Sequence, residues 1–429
     1  MPFGPNDYRV GIGAIRLEAS LACQLQCPSC PTAAGQVHRV LGKGFLRAND
    51  FLSLIERNPG LHSVELSNYG EPFLNPQMLD LLRIAAKHGV ALTCDNGANL
   101  NTVREEVLEG LVRYGMRSIT CALDGASAAT YAIYRRRGQF EQVIENIRTI
   151  NAYKARYGTA YPHLTWQFVI FGHNEREIFT AKRMADELGM KFRPKLSWDM
   201  RFSPIRDRRT ILRESGLPAT TIKEFQRLTR TSYAGELCHE LWTRPQINFD
   251  GQVLGCRANY RRILGGNAFE DLDAAINGKA IRYARAMLMG DVPPREDIPC
   301  SHCHHYLERV MSGHWIRREE IEPPAKQMSK SESSRHRPSR PSLPRRILWF
   351  GLGRMGTMDY VTPQDLLGNQ IPGWSLSRRF LMVLRSRSRL IKAIPEILLM
   401  VLWSFRHPTI PIDEPKNISI QTSEQRSNL

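Results

Sequence analysis

The chain has 429 residues, 42% of them hydrophobic, which on a soft prior of roughly 150 residues per domain means two to three domains with a sizeable core. Its formal charge of +17 is unevenly spread: 17 basic and 7 acidic residues follow Ala325, so +10 of the excess lies in the tail. This argues against nucleic-acid binding, which wants basic residues interleaved with stacking aromatics on a folded face; with no signal-peptide start and no run of about 18 apolar residues, a cytoplasmic location is expected.

The first informative stretch, Leu21 to Pro31, reads L-A-C-Q-L-Q-C-P-S-C-P and sets Cys23, Cys27 and Cys30 in a C-x3-C-x2-C array. Three thiolates on one loop suit three irons of a cubane cluster, leaving the fourth iron open. A structural zinc knuckle would want a fourth Cys or His nearby, and His38 is the candidate. The array resembles the radical S-adenosylmethionine (SAM) superfamily. That resemblance implies a [4Fe-4S] cluster whose open iron chelates SAM, reductive cleavage to a 5′-deoxyadenosyl radical, and an external electron donor such as flavodoxin or ferredoxin. The family's usual large side chain before the third cysteine is Ser29 here, so adenine must find its apolar wall elsewhere.

From Gly13 onward short β-like runs alternate with amphipathic stretches, the pattern of a parallel sheet covered by helices. Strands are predicted at Ala14 to Ala19, Ser63 to Ser67, Val90 to Asp95, Ser118 to Leu123, Leu164 to Phe171 and Lys191 to Leu196. Cys94 and Cys121 fall inside such runs and read as small core residues. Six units fit the partial (β/α)6 barrel that the resemblance implies, with ligands at the C-terminal ends of the strands.

After the second run, Asn68-Tyr69-Gly70-Glu71-Pro72 is similar to the family's G-G-E-P motif, so Gly70, Glu71 and Pro72 are expected at the SAM ammonium, although an ordinary turn would read the same way. After the third, Asp95-Asn96-Gly97 resembles the T-N-G turn near the cofactor ribose, or is simply a tight turn, and Asn96 is the candidate contact. The fourth leads into Ala122-Leu123-Asp124-Gly125 and then Arg135 to Gly138, similar to the S-x-D-G stretch and its later arginine. Asp124 is expected at the cofactor, and Arg137 is expected to replace the contact that Ala122 lacks; the alternative is a solvated basic loop. The fifth run implies an adenine contact through Ile170 or Val169 and through Asn174, against the plain reading of strand core.

After Leu196 the barrel pattern stops, and Pro204 to Arg230 reads as a basic, partly helical bridge. Cys238 and Cys256 then flank a predicted hairpin turning at Asp250-Gly251, and Cys300-x2-Cys303 closes the set. Four thiolates can complete a second [4Fe-4S] cluster or a zinc ribbon, and His302, His304 and His305 flank the last pair. This group resembles the SPASM and shorter Twitch auxiliary domains, and one auxiliary cluster is the economical count.

Beyond Glu322 the composition becomes Pro-, Ser- and basic-rich, reading as a disordered linker over 323–346. Gly351 to Gly356 spells G-x-G-x-x-G, but Pro363 and Pro372 interrupt the helix a dinucleotide site needs. Phe380 to Phe405 has the spacing of an amphipathic helix whose basic face suits an anionic membrane surface or docking on the enzyme body.

The expected fold class is α/β: a partial (β/α)6 barrel with a small cysteine-rich β-hairpin auxiliary-cluster domain and a basic, partly disordered tail. The expected domains are the barrel (1–200), a bridge (201–237), the auxiliary domain (238–322), the linker (323–346) and the tail (347–429). The expected function is a two-electron oxidation of a hydroxylated small molecule, such as a sugar, an aminocyclitol or a lipid-linked substrate. Peptide modification is the alternative, disfavoured because only 22 residues precede Cys23. A non-catalytic iron-sulfur or zinc protein is the reading from another class.

Overall fold

The computed structural model describes residues 7–235 and 237–321. The predicted linker, the G-x-G-x-x-G stretch and the amphipathic helix all lie outside the described residues. No helix among those described is long and apolar enough to cross a membrane.

Six parallel strands run in sequence order: β1 (Ala14–Leu17), β2 (Ser63–Glu65), β3 (Ala91–Ala98), β4 (Ser118–Ala122), β5 (His163–Ile170) and β6 (Lys191–Leu196). Each predicted run is a strand, and all six lie in one sheet. Their outer faces carry Ile15, Leu17, Val64, Leu92, Cys94, Ile119, Cys121, Trp166, Phe168 and Ile170, all buried in one core. Against them pack helices such as Phe140–Tyr157, whose buried Val143, Ile144, Ile147 and Ile150 repeat at three- and four-residue spacing. That helix stops at Gly158, where φ of 60° lets the amide close on Ala155 and Lys154 carbonyls.

The bridge contains helices Arg208–Ser215 and Ile222–Thr229, capped by the Asp207 and Thr221 side chains. The hairpin follows as β7 (Gln246–Ile247) and β8 (Val253–Gly255). It does not stand apart from the barrel. β7 pairs parallel with β1, Arg16 opposite Gln246 and Leu17 opposite Ile247, so the sheet order is β6-β5-β4-β3-β2-β1-β7-β8. The same core runs on through Ile247, Val253, Met287 and Tyr306, so no boundary in packing separates barrel from hairpin.

Candidate active site

The loop after β1 brings the Cys23, Cys27 and Cys30 thiols within electrostatic reach of one another. The Cys30 amide closes a turn on the Cys27 carbonyl at 3.1 Å, and the Ala34 amide follows on Cys30 at 3.0 Å. Burial pushes the Cys23 thiol up to about 12 and raises that of Cys27, so a bound metal would have to displace the protons.

The Gly70 loop is stitched onto this one. Glu71 N–H donates to the Ala22 carbonyl at 2.8 Å, and Thr32 Oγ1 donates to the Tyr69 carbonyl at 2.7 Å. From below, the buried Glu18 carboxylate accepts the Tyr69 and Gly70 amides, each at 3.1 Å. Burial nevertheless drives Glu18 up to about 8, against the pull of those two amides and of Arg16. A Cβ on Gly70 would lie 2.0 Å from the Ser20 carbonyl oxygen, so only glycine allows this approach. Gly70→Ala should therefore cost about 1–3 kcal/mol of stability by overpacking against backbone. It should also weaken SAM binding by at least about tenfold, or 1.4 kcal/mol. Thermal unfolding and SAM titration of the reconstituted protein measure both, and unchanged SAM affinity would remove this loop from the cofactor site.

Glu71 is buried; one carboxylate oxygen accepts the Asn99 amide at 2.6 Å, and the other, Oε1, has no hydrogen-bond partner among the described residues. Desolvation raises its pKa to about 7, opposed by the amides of Asn99 and Phe73 and by Arg135. A buried carboxylate oxygen left open within electrostatic reach of the Cys23 thiol fits a cationic ligand group. Pro72 starts the turn that carries this loop back into the core.

Strand β4 leads to Asp124, buried and with both oxygens engaged: one accepts Val169 N–H at 2.7 Å, and the other accepts Arg135 Nε at 2.7 Å. Arg135 also reaches Cys27 Sγ at 3.6 Å. Its position follows from the helix Ala128–Tyr134, which Ser127 caps and which rests against Gly125, where a Cβ would lie 2.5 Å from the Tyr131 amide nitrogen. The expectation for Arg137 is thereby corrected: it is exposed, with φ of 69°, while Arg135 faces the cysteines. Asp124 holds that arginine in place.

Two other expectations change for the same kind of reason. Ile170 belongs to the outer core, and strand alternation turns Val169 rather than Ile170 inward. Asn174 is completely buried and spends its amide on the Asp124 and Val169 carbonyls and the Phe171 N–H. It braces the site as scaffold. The Asp95-Asn96-Gly97 stretch is an irregularity within β3, not a turn after it, with Gly97 at φ 129°. Asn96 Nδ2 donates to Asn68 Oδ1 at 2.7 Å. At the position before the third cysteine, Ser29 donates to Asp199 at 2.6 Å, and aromatic surface comes from Tyr134, packed on Phe171 with ring centroids 4.5 Å apart. Tyr134 lies within electrostatic reach of Cys27 and Cys30.

Cys238, Cys300 and Cys303 all lie within electrostatic reach of Cys256, and all four pack against the core. His302 and His304 are exposed; His305 is buried, its ring centroid 3.8 Å from that of His304. The second thiol group is joined directly to the Gly70 loop: Tyr69 Oη and Asn68 Nδ2 donate to the Arg257 carbonyl at 2.7 and 3.1 Å. Arg257 pairs with Glu240, which lies 3.9 Å from Arg16, itself 3.9 Å from Glu65, so a buried chain of charges ties β2 to the residue after Cys256.

Residues 17–179 match the family model of the radical SAM superfamily, a span that includes the three-cysteine loop, the Gly70 loop and Arg135. The chain carries a radical SAM domain. The radical SAM domain is similar to a tungsten-containing aldehyde ferredoxin oxidoreductase cofactor-modifying protein of Pyrococcus furiosus, 24% identical over 177 residues, 41% of this chain and 48% of the relative. It is also similar to the GTP 3′,8-cyclase of a Synechococcus species, 30% identical over 200 residues, 42% of this chain and 54% of the relative. The chain thus spans about half the length of the curated relatives it matches. In structure it is similar to Streptococcus suis SuiB bound to S-adenosylmethionine, with a TM-score of 0.50 and 15% identity over 68% of this chain and 70% of that one. The radical SAM family implies SAM and a [4Fe-4S] cluster. The three gathered thiols, the glycine cradle and the open Glu71 oxygen fit that pair.

Sequence reading missed Glu18, Arg135, Tyr134 and the Tyr69 to Arg257 link. Only Arg135 left a signal, as a member of the arginine triplet.

Proposed function

We propose that the chain catalyses a two-electron oxidation of a hydroxylated small molecule, using one cluster at Cys23, Cys27 and Cys30 and a second at Cys238, Cys256, Cys300 and Cys303. The observation that carries this reading is the junction between the two thiol groups. Tyr69, in the Gly70 loop, donates to the carbonyl of Arg257, the residue after Cys256.

When bound, the first cluster and SAM supply the carbon radical that removes a substrate hydrogen, and the second cluster supplies an electron acceptor. The residues of this chain prepare that chemistry. Glu71 offers an open carboxylate oxygen to the SAM ammonium, and Gly70 lets the backbone come close. Arg135, locked by Asp124, holds positive charge beside Cys27 and favours its thiolate. Tyr134 and Val169 provide apolar surface where Ser29 provides none.

Anaerobic reconstitution followed by iron analysis and low-temperature electron paramagnetic resonance tests the reading, with about eight irons per chain and two cubane signals expected. About four irons with one zinc would make the second cysteine group structural and leave the oxidation without an acceptor.

A further inference from the structure

Strand β6 turns Arg193 and Lys195 toward the inner face of the sheet, where alternation sets Gln167 and Val169 beside them. Arg193 Nη2 donates to the Asp95 carbonyl at 3.1 Å, to Thr120 Oγ1 at 3.2 Å and to Gln167 Oε1 at 3.1 Å. Lys195 Nζ donates to the same Gln167 oxygen at 3.2 Å. Two cations thus share one neutral acceptor, and among the described residues neither forms an ion pair. Arg193 Nε is buried and has no hydrogen-bond partner among the described residues. An ammonium has three donors, so Lys195 keeps capacity that the described residues do not fill.

The carboxylates nearby are engaged elsewhere. Asp124 is held by Arg135 and the Val169 amide. Glu65 accepts Ser67, Thr93 and the Asp95 amide, and Glu240 pairs with Arg257. Burial pulls the Lys195 pKa down to about 8, helped by the like charges of Arg193, Arg257 and Arg135 and opposed by Asp124. Arg193 feels Asp95 and Glu65 as opposite charges and Arg257 as a like one. Arg135 touches Cys27 and Arg257 follows Cys256, so Lys195 is within electrostatic reach of the neighbours of both thiol groups.

Unpaired, part-buried cations are costly unless a ligand supplies the counter-charge. We propose that Lys195 and Arg193 form an anion seat for the substrate, which therefore carries a phosphate or carboxylate group; this rests on the reading of the inner face as the substrate pocket. With Arg257 already neutralised by Glu240, the two remaining cations match the two charges of a phosphate monoester better than the single charge of a carboxylate.

The test uses full-length protein without SAM or reductant. Acetylation of Lys195 by an amine-reactive anhydride is followed by mass spectrometry in chloride, acetate or inorganic phosphate at equal pH and ionic strength. Phosphate should slow labelling of Lys195 by about fivefold or more, as charge-assisted hydrogen bonds to the ammonium would require. The exposed Lys182 and Lys191 should label at unchanged rates. Protection by acetate and not by phosphate would keep the seat and assign it to carboxylates, whereas equal rates in all three salts would overturn it. Arg193→Met should erase the protection; should that variant not fold, the unaltered protein still decides. Because no SAM cleavage is needed, a protein that cleaves SAM without showing protection loses only the anion seat. One that shows protection and never cleaves SAM loses the enzymatic reading instead.

Discussion

Replacing Cys23, Cys27 and Cys30 together by alanine should abolish formation of 5′-deoxyadenosine from SAM on reduction of the anaerobically reconstituted protein. The effect is expected to be complete because the three thiols lie together on one loop. His38, the nearby histidine, is turned to the Leu21 carbonyl at 2.8 Å. Iron should fall by about four per chain, the content of one cubane, while the signal from the second group persists. The fold should survive, since Cys23 and Cys30 are only half-buried and the loop keeps its bonds to Tyr69, Glu71 and Arg136. Chromatographic detection of 5′-deoxyadenosine reads the outcome. An unaltered protein that holds zinc and never cleaves SAM would sink the enzymatic reading.

The double variant Cys300→Ala/Cys303→Ala should separate SAM cleavage from substrate oxidation. Two of four ligands are removed from the second group, while the Gly70 loop keeps its contact through Arg257, which Glu240 holds on its own. SAM binding should stay within about twofold of the unaltered protein, since neither Cys300 nor Cys303 supplies the Arg257 carbonyl that the Gly70 loop contacts. Oxidised product should fall by two orders of magnitude or more, about 2.7 kcal/mol in the barrier to product, because the electron acceptor is gone. Mass spectrometry of substrate mixtures incubated with each protein measures this. Equal product from both would mean that the second thiol group is scaffold.

What depends on neighbours along the chain was legible from the residues alone. The C-x3-C-x2-C array is a loop property, and strand and helix periods appear within windows of a few residues, so the six parallel strands and the radical SAM domain were readable without coordinates. Tertiary structure decided everything that depends on phase or on pairing between distant segments. Arg135 and Arg137 differ by two positions, and only the cap at Ser127 and the left-handed turn at Arg137 choose between them. Val169 and Ile170 differ by one, and the face each takes follows from the packing of β5 against the helices. Asp124 and Asn174 read as ligands in isolation, yet their hydrogen bonds are consumed within the scaffold. The addition of β7 to β1 joins residues 230 positions apart through backbone groups that every residue possesses, and the junction it permits, from the Tyr69 hydroxyl to the Arg257 carbonyl, spans 188 positions. Such contacts leave no mark in local composition, because their energy comes from burial and hydrogen bonding once the chain has closed on itself.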